Sequence, residues 1–147
     1  MDYAHDEFEG RASFGTDTIG DGKDGADCQG QGTHVAGTVG GKTYGIARKV
    51  NLVSVRVLGC DGKGTVEQLI AGRDWVAANA KKPAVASLSL GGDKDDALDK
   101  AATALSDAGI LPVIAAGNGA KSACGVSPAS ADRLQQLGHL RAPLRAR

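Results

Sequence analysis

Between Val50 and Ala116 the chain alternates three apolar, strand-like runs with two helix-like ones on short joints, and this alternation leaves few folds open. Val50-Asn51-Leu52-Val53-Ser54-Val55-Arg56-Val57-Leu58 is rich in β-branched residues and reads as a strand. Asp61-Gly62-Lys63-Gly64 is a turn. Val66, Leu69, Ile70, Val76, Ala77 and Ala80 then recur at helical spacing, with Thr65 as N-cap and Pro83 as terminator. Ala84 to Leu90 predicts a second strand, and Leu98, Ala101, Ala102 and Leu105 mark a second helix that Gly109 stops. Leu111 to Ala116 predicts a third strand. Short joints of this kind demand right-handed crossovers and parallel pairing. The expected fold class is α/β, three-layer, a mostly parallel sheet with helices on both faces, and near-continuous apolar strands suit burial on two sides. Glycine, 22 residues of 147, is about twice its usual share of roughly 7 %, and aromatics are scarce, so the core must be built from Val, Leu, Ile and Ala at close backbone spacing. Ligands of such sheets bind beyond the carboxyl ends of the strands, where Ser89-Leu90-Gly91-Gly92 and Ala116-Gly117-Asn118 fall.

Residues 1 to 30 read as loop. They lead into Gly30-Gln31-Gly32-Thr33-His34-Val35-Ala36-Gly37-Thr38-Val39-Gly40, a glycine turn that opens a short helix of small residues, with Thr33 as its N-cap. Ala36, Gly37 and Gly40 form a thin face for close approach of another backbone, so this helix is expected to be buried. A dinucleotide-binding reading of Gly30-x-Gly32 fails, because Val35 stands where the third glycine belongs and no strand precedes the turn.

The same stretch resembles the histidine motif of the subtilisin-like serine endopeptidases, in the branch related to proteinase K and aqualysin, where it reads G-H-G-T-H-V-A-G. The resemblance continues through Thr43-Tyr44-Gly45-Ile46-Ala47, Val55-Arg56-Val57-Leu58, Ser87-Leu88-Ser89-Leu90-Gly91-Gly92, Ala115-Ala116-Gly117-Asn118 and Ser127-Pro128-Ala129-Ser130, and covers Tyr3 to Ala131. It implies that Ser89, Leu90 and Gly91 run beside a peptide substrate as an added strand, with glycine leaving room for the approaching backbone. It implies further that Ala115, Ala116 and Gly117 line the pocket for the residue before the cut bond, and that Asn118 donates to the oxyanion.

The departures from the pattern are chemical. Gln31 occupies the place of the general base, while His34 matches the second, structural histidine of the motif. A neutral amide cannot take a proton from a serine hydroxyl near neutral pH. The D-T-G turn of the family's aspartate is missing, Asp2 is a poor substitute for it, and no G-T-S-M-A nucleophile motif occurs in these 147 residues. The expectation is therefore a truncated, inactive piece of a serine endopeptidase, with a peptide-binding module or decoy that keeps the substrate cleft as the alternative.

The resemblance also implies a disulfide between Cys28 and Cys60, and leaves Cys124, whose partner in that branch lies further along, outside any bridge. Three unrelated reduced cysteines are the other reading. Asp17, Asp21, Asp24 and Asp27 do not follow EF-hand spacing and read as a solvated loop; the family binds calcium, but no ligands can be assigned here. His5, His34 and His139 are scattered and suggest no zinc site, so no cofactor and no metal are expected. Lys and Arg balance Asp and Glu at 17 each, which argues against nucleic acid as the main partner, and no run approaches the length of a membrane span. The expected partner is a peptide or protein, and open sheet edges would add self-association. The family is extracellular, whereas Met1 to Asp6 show no export signal. Residues 1–131 form the expected partial peptidase domain. Residues 132–147, with four arginines, read as an unrelated tail, either disordered or translated out of frame.

Overall fold

Strands β1 (Ala12–Asp17) and β2 (Leu52–Arg56) pair in parallel in the computed structural model, which describes residues 1–131. The chain divides into two compact units, Met1–Trp75 and Val76–Arg147. The tail expected over 132–147 lies outside the described residues.

In the first unit, β1 corrects the reading of residues 1 to 30 as loop. Ala-Ser-Phe-Gly-Thr-Asp carries no apolar alternation, and the strand exists because its backbone groups find partners on β2, from Ala12 opposite Leu52 to Asp17 opposite Arg56. The register shifts between Phe14 and Thr16. Gly15 sits at that irregularity, where an added Cβ would stand 2.8 Å from both the Trp75 ring and a Val53 methyl, so the position takes no side chain. Ahead of β1, Phe8 is buried, and Arg11 donates to the carbonyls of Gly40 (2.9 Å) and Val50 (3.0 Å).

Helix α1 (Gln31–Gly40) is capped by Gly30 at φ 86°, not by Thr33, which lies inside the first turn. Its expected burial is only partial. Ala36 and Gly40 are buried, a Cβ on Gly40 would press on Val50 and Leu52, and the space around Gly37 is open. Helix α2 (Val66–Asn79) starts as its sequence foretells. The Thr65 hydroxyl accepts from the Gln68 N–H (3.3 Å) while the Gln68 amide oxygen accepts from the Thr65 N–H (2.8 Å), a reciprocal capping box. Gly72 lets α2 lie directly on Val55 and Val57.

In the second unit, β3 (Val85–Leu88) and β5 (Leu111–Ile114) pair in parallel across helix α3 (Asp96–Asp107), the crossover expected from the order of elements. Leu98, Ala102 and Leu105 line the buried stripe of α3, and Ile110 follows Gly109, which ends the helix at φ 73°. One face of the β3–β5 pair stays open, with Val85 65 % exposed beside Leu111 and Val113. A short antiparallel pair, β4 (Gly92–Asp93) with β6 (Val126–Ser127), joins the segment after β3 to the Ser-Pro-Ala-Ser stretch.

Candidate functional site

The start of α1 is built by Asp27, three residues ahead of the helix cap. Its Oδ1 accepts from the N–H groups of Gln29 (3.1 Å) and Gly30 (2.7 Å), and its Oδ2 accepts from the Thr33 N–H (2.8 Å) and hydroxyl (2.6 Å). Burial acts to raise its pKa, but the Thr33 hydroxyl and the backbone N–H groups of Gly30 and Thr33 outweigh it and hold the carboxyl well below the usual range. A carboxylate at the positive end of a helix is also where the dipole favours it. This arrangement sets Gln31 as the first, exposed residue of α1, with His34 exposed one turn on.

The loop carrying Asp27 is pinned to β2 by Arg56. Arg56 is 7 % exposed, and its guanidinium donates to Asp17 (2.8 Å) and to both oxygens of Asp21 (2.7 Å each). The Arg56 hydrogen bond holds the Asp21 carboxyl down to about 2, and Asp21 and Asp17 in turn raise the pKa of Arg56. The Cys28–Cys60 bridge closes the same corner with Cα atoms 5.3 Å apart, as the resemblance implies. Cys124 is exposed and carries no disulfide. The acidic loop is turn-rich and largely exposed, as read from its sequence, but three of its acids are engaged. Asp17 and Asp21 clamp an arginine and Asp27 starts a helix, and among the described residues no group of His, Cys, Asp and Glu is arranged to hold a metal ion.

In the second unit, Ser89 and Gly91 are exposed beyond the end of β3, and Leu90 between them is half-buried. A Cβ on Gly91 would stand 3.3 Å from a Val126 methyl and 3.5 Å from the Ser127 carbonyl oxygen, whereas the space at Gly92 is open. Ala115, Ala116, Gly117 and Asn118 are exposed beyond β5; the Ala115 N–H donates to the Leu88 carbonyl (3.2 Å), and Gly117 turns the chain at φ 95°. Gly117 faces Val126 as well, its added Cβ 3.7 Å away, so the Ser89–Gly91 and Ala115–Gly117 segments lie against one valine. Gln31 belongs to the first unit and the other seven predicted site residues to the second.

Residues 3–137, nearly the whole chain, match the family description of the subtilases. The chain belongs to the subtilase family. Its relatives include an alkaline serine exoprotease A from Vibrio alginolyticus, 52 % identical over 86 % of this chain and 24 % of that protein. An extracellular serine proteinase from Thermus sp. strain Rt41A is 52 % identical over 86 % of this chain and 31 % of that protein. The crystal structure of a cold adapted subtilisin-like serine proteinase superposes with a TM-score of 0.84 at 49 % identity, over 87 % of this chain and 47 % of that one. The fold is thus a subtilisin-like α/β fold, and the chain spans about a quarter to a third of the length of these curated relatives. The subtilase match reaches past Ala131, where the motif resemblance ends.

Two features of this subtilase chain have no motif behind them. Asp27 falls among the loop acids, three residues ahead of the Gly30 cap and so outside the position where a capping residue is read. A buried polar cluster behind β6 gives no local sign. There the Ser130 hydroxyl donates to Asp99 (2.6 Å), Lys94 Nζ donates to Asp99 (3.0 Å) and Ser130 (3.3 Å), and the Ser127 hydroxyl bridges the Asp95 backbone, accepting from its N–H (2.8 Å) and donating to its carbonyl (3.0 Å). For Asp99, burial acts to raise the pKa, but the hydroxyls of Ser130 and Ser127 and the Lys94 ammonium together hold it low.

Proposed function

We propose that this chain is the N-terminal-to-middle portion of an extracellular serine endopeptidase catalytic domain, and that it does not hydrolyse peptides. The observation that carries the second half is Gln31. It is the first residue of α1, the position that the motif resemblance assigns to the general base, and its side chain offers an amide where the reaction needs an imidazole. Triad members act as a unit. In subtilisin itself, the enzyme on which this behaviour was established, losing the histidine or serine alone costs about 10⁶ in turnover, and a loss of that order leaves no useful catalysis. Asn118, exposed beyond β5, is the proposed oxyanion donor. Such a donor contributes about 3 to 4 kcal/mol in subtilisin, and only once a nucleophile has attacked.

The test is hydrolysis of a fluorogenic peptide, together with labelling by a fluorophosphonate serine probe. The purified chain should give neither, and peptide cleavage abolished by altering a residue of this chain would overturn the proposal.

A second reading, a peptide-binding module, is supported by one observation: Ser89 and Gly91 are exposed and nothing stands within 4 Å of the place a Gly92 Cβ would take. An extended peptide could pair with that backbone. Binding that saturates in fluorescence anisotropy and is lost in Gly91→Val, whose side chain would crowd Val126 and the Ser127 carbonyl, is the expected outcome of this reading.

A further inference from the structure

The Cys28–Cys60 bridge lies among cations. Lys23 Nζ stands 3.0 Å from Cys60 Sγ, and one Arg56 terminal nitrogen stands 3.7 Å from Cys60 Sγ and 3.8 Å from Cys28 Sγ. Arg56 is kept in place by Asp17 and Asp21, and the neighbouring Asp61 carboxylate accepts from the Lys63 N–H. The two residues also differ in exposure, Cys28 being exposed and Cys60 half-buried.

We infer that this disulfide is a polarised site of exchange with small thiols, at which an incoming thiolate attacks Cys28 and Cys60 departs as the thiolate held by Lys23 and Arg56. Thiol–disulfide exchange is governed by access to the attacked sulfur and by how well the leaving sulfur carries negative charge, and a thiolate beside Lys or Arg is stabilised. Both factors favour the same direction here. The bond formed joins the incoming sulfur to Cys28 Sγ, the Cys28–Cys60 bond breaks, and its electron pair leaves on Cys60. With a monothiol such as glutathione the product is a mixed disulfide on Cys28. With a dithiol such as dithiothreitol, the second thiolate attacks the sulfur of the reagent, releases Cys28 as thiolate and closes the reagent into a cyclic disulfide, so the reagent is oxidised by two electrons and the bridge reduced by two. Because Cys28 lies between Asp27 and Gly30, opening the bridge removes one tie on the segment that begins α1 and leaves the Arg56 contacts with Asp17 and Asp21 as the other.

The test uses the oxidised full chain with Cys124→Ser as background, so that no other thiol of the protein exchanges. Reaction with reduced glutathione, acid quench and peptide mapping by mass spectrometry should place the adduct on Cys28 in at least roughly fivefold excess over Cys60, and Lys23→Gln, at an exposed position, should slow reduction by dithiothreitol roughly fivefold. An adduct on Cys60, an even split, a bridge that resists both reagents, or an unchanged rate in Lys23→Gln would overturn the inference.

Discussion

Helix α3 is capped by an aspartate and helix α1 is preceded by one, yet the two aspartates do different things. Asp95 is the N-cap of α3 itself, extended at φ −144°, and accepts from Ala97 N–H (2.9 Å) and Leu98 N–H (3.0 Å), two donors of the helix it starts. Asp27 stands upstream of a left-handed glycine cap and gathers donors from its own loop as well as from Thr33 in the first turn. The side-chain cap of the first is complete within four residues, although the Ser127 hydroxyl also holds the Asp95 backbone. The second works only if the loop before α1 is held in one path, and that path depends on Arg56 and on the Cys28–Cys60 bridge, both distant in sequence. A cap of the first kind adds to a helix, whereas the second kind also fixes the chain that leads into the helix.

The contrast can be broken most forcefully at Arg56. Arg56→Met leaves Asp17 largely buried without its cation, and should cost about 3 kcal/mol in urea unfolding, because a buried charge stripped of its partner is more expensive than the pair was worth. If the loss is only a few tenths of a kcal/mol, the loop path does not depend on the arginine. Asp27→Ala comes next, at about 2 kcal/mol, the upper end for a lost cap, because one carboxylate serves three N–H groups and a hydroxyl.

Acid sharpens the same point. Asp27 and Asp21 have folded-state pKa values below those of the unfolded chain, so their stabilisation is complete above about pH 4 and is lost as pH falls through the folded values, for Asp21 between about 4 and about 2. Asp27→Asn should flatten the dependence of the urea midpoint on pH in that range, and a curve that stays parallel to the unaltered protein's would show that the carboxylate contributes nothing there. Asp95→Ala is the smallest change, about 1 kcal/mol, and should leave the Cys28–Cys60 region unaffected by hydrogen exchange. Should it cost more than Asp27→Ala, the distinction between the two caps fails.

The elements with regular local signals were legible. The capping box of Thr65 and Gln68, the stripe of Leu98, Ala102 and Leu105, and the stop at Gly109 all lie within a few residues of what they control. The elements without them were not. Strand β1 has no apolar alternation and exists through pairing with β2, some 40 residues later, and Gly15 within it is explained only by Trp75 and Val53. The thin face of α1 proved narrower than its spacing suggested, because the neighbours Val50 and Leu52 meet Gly40 and not Gly37. The cluster of Asp99, Ser127, Ser130 and Lys94 joins residues over 30 positions apart, and nothing in the spacing of Ser-Pro-Ala-Ser announces it.

The amino-acid sequence alone determined the order of motifs that places the chain among the subtilases, the succession of strands and helices from Val50 onward, and that residue 31 carries an amide side chain. These are properties of residue type and short-range period, which survive without knowledge of neighbours. Only the tertiary structure decided that Asp17 and Asp21 close on Arg56, that Asp27 positions α1, and that cations flank the disulfide. Charged side chains reach partners through space, and which of several nearby opposite charges becomes the partner depends on how the loop is folded back, a matter that chain order does not encode at short range.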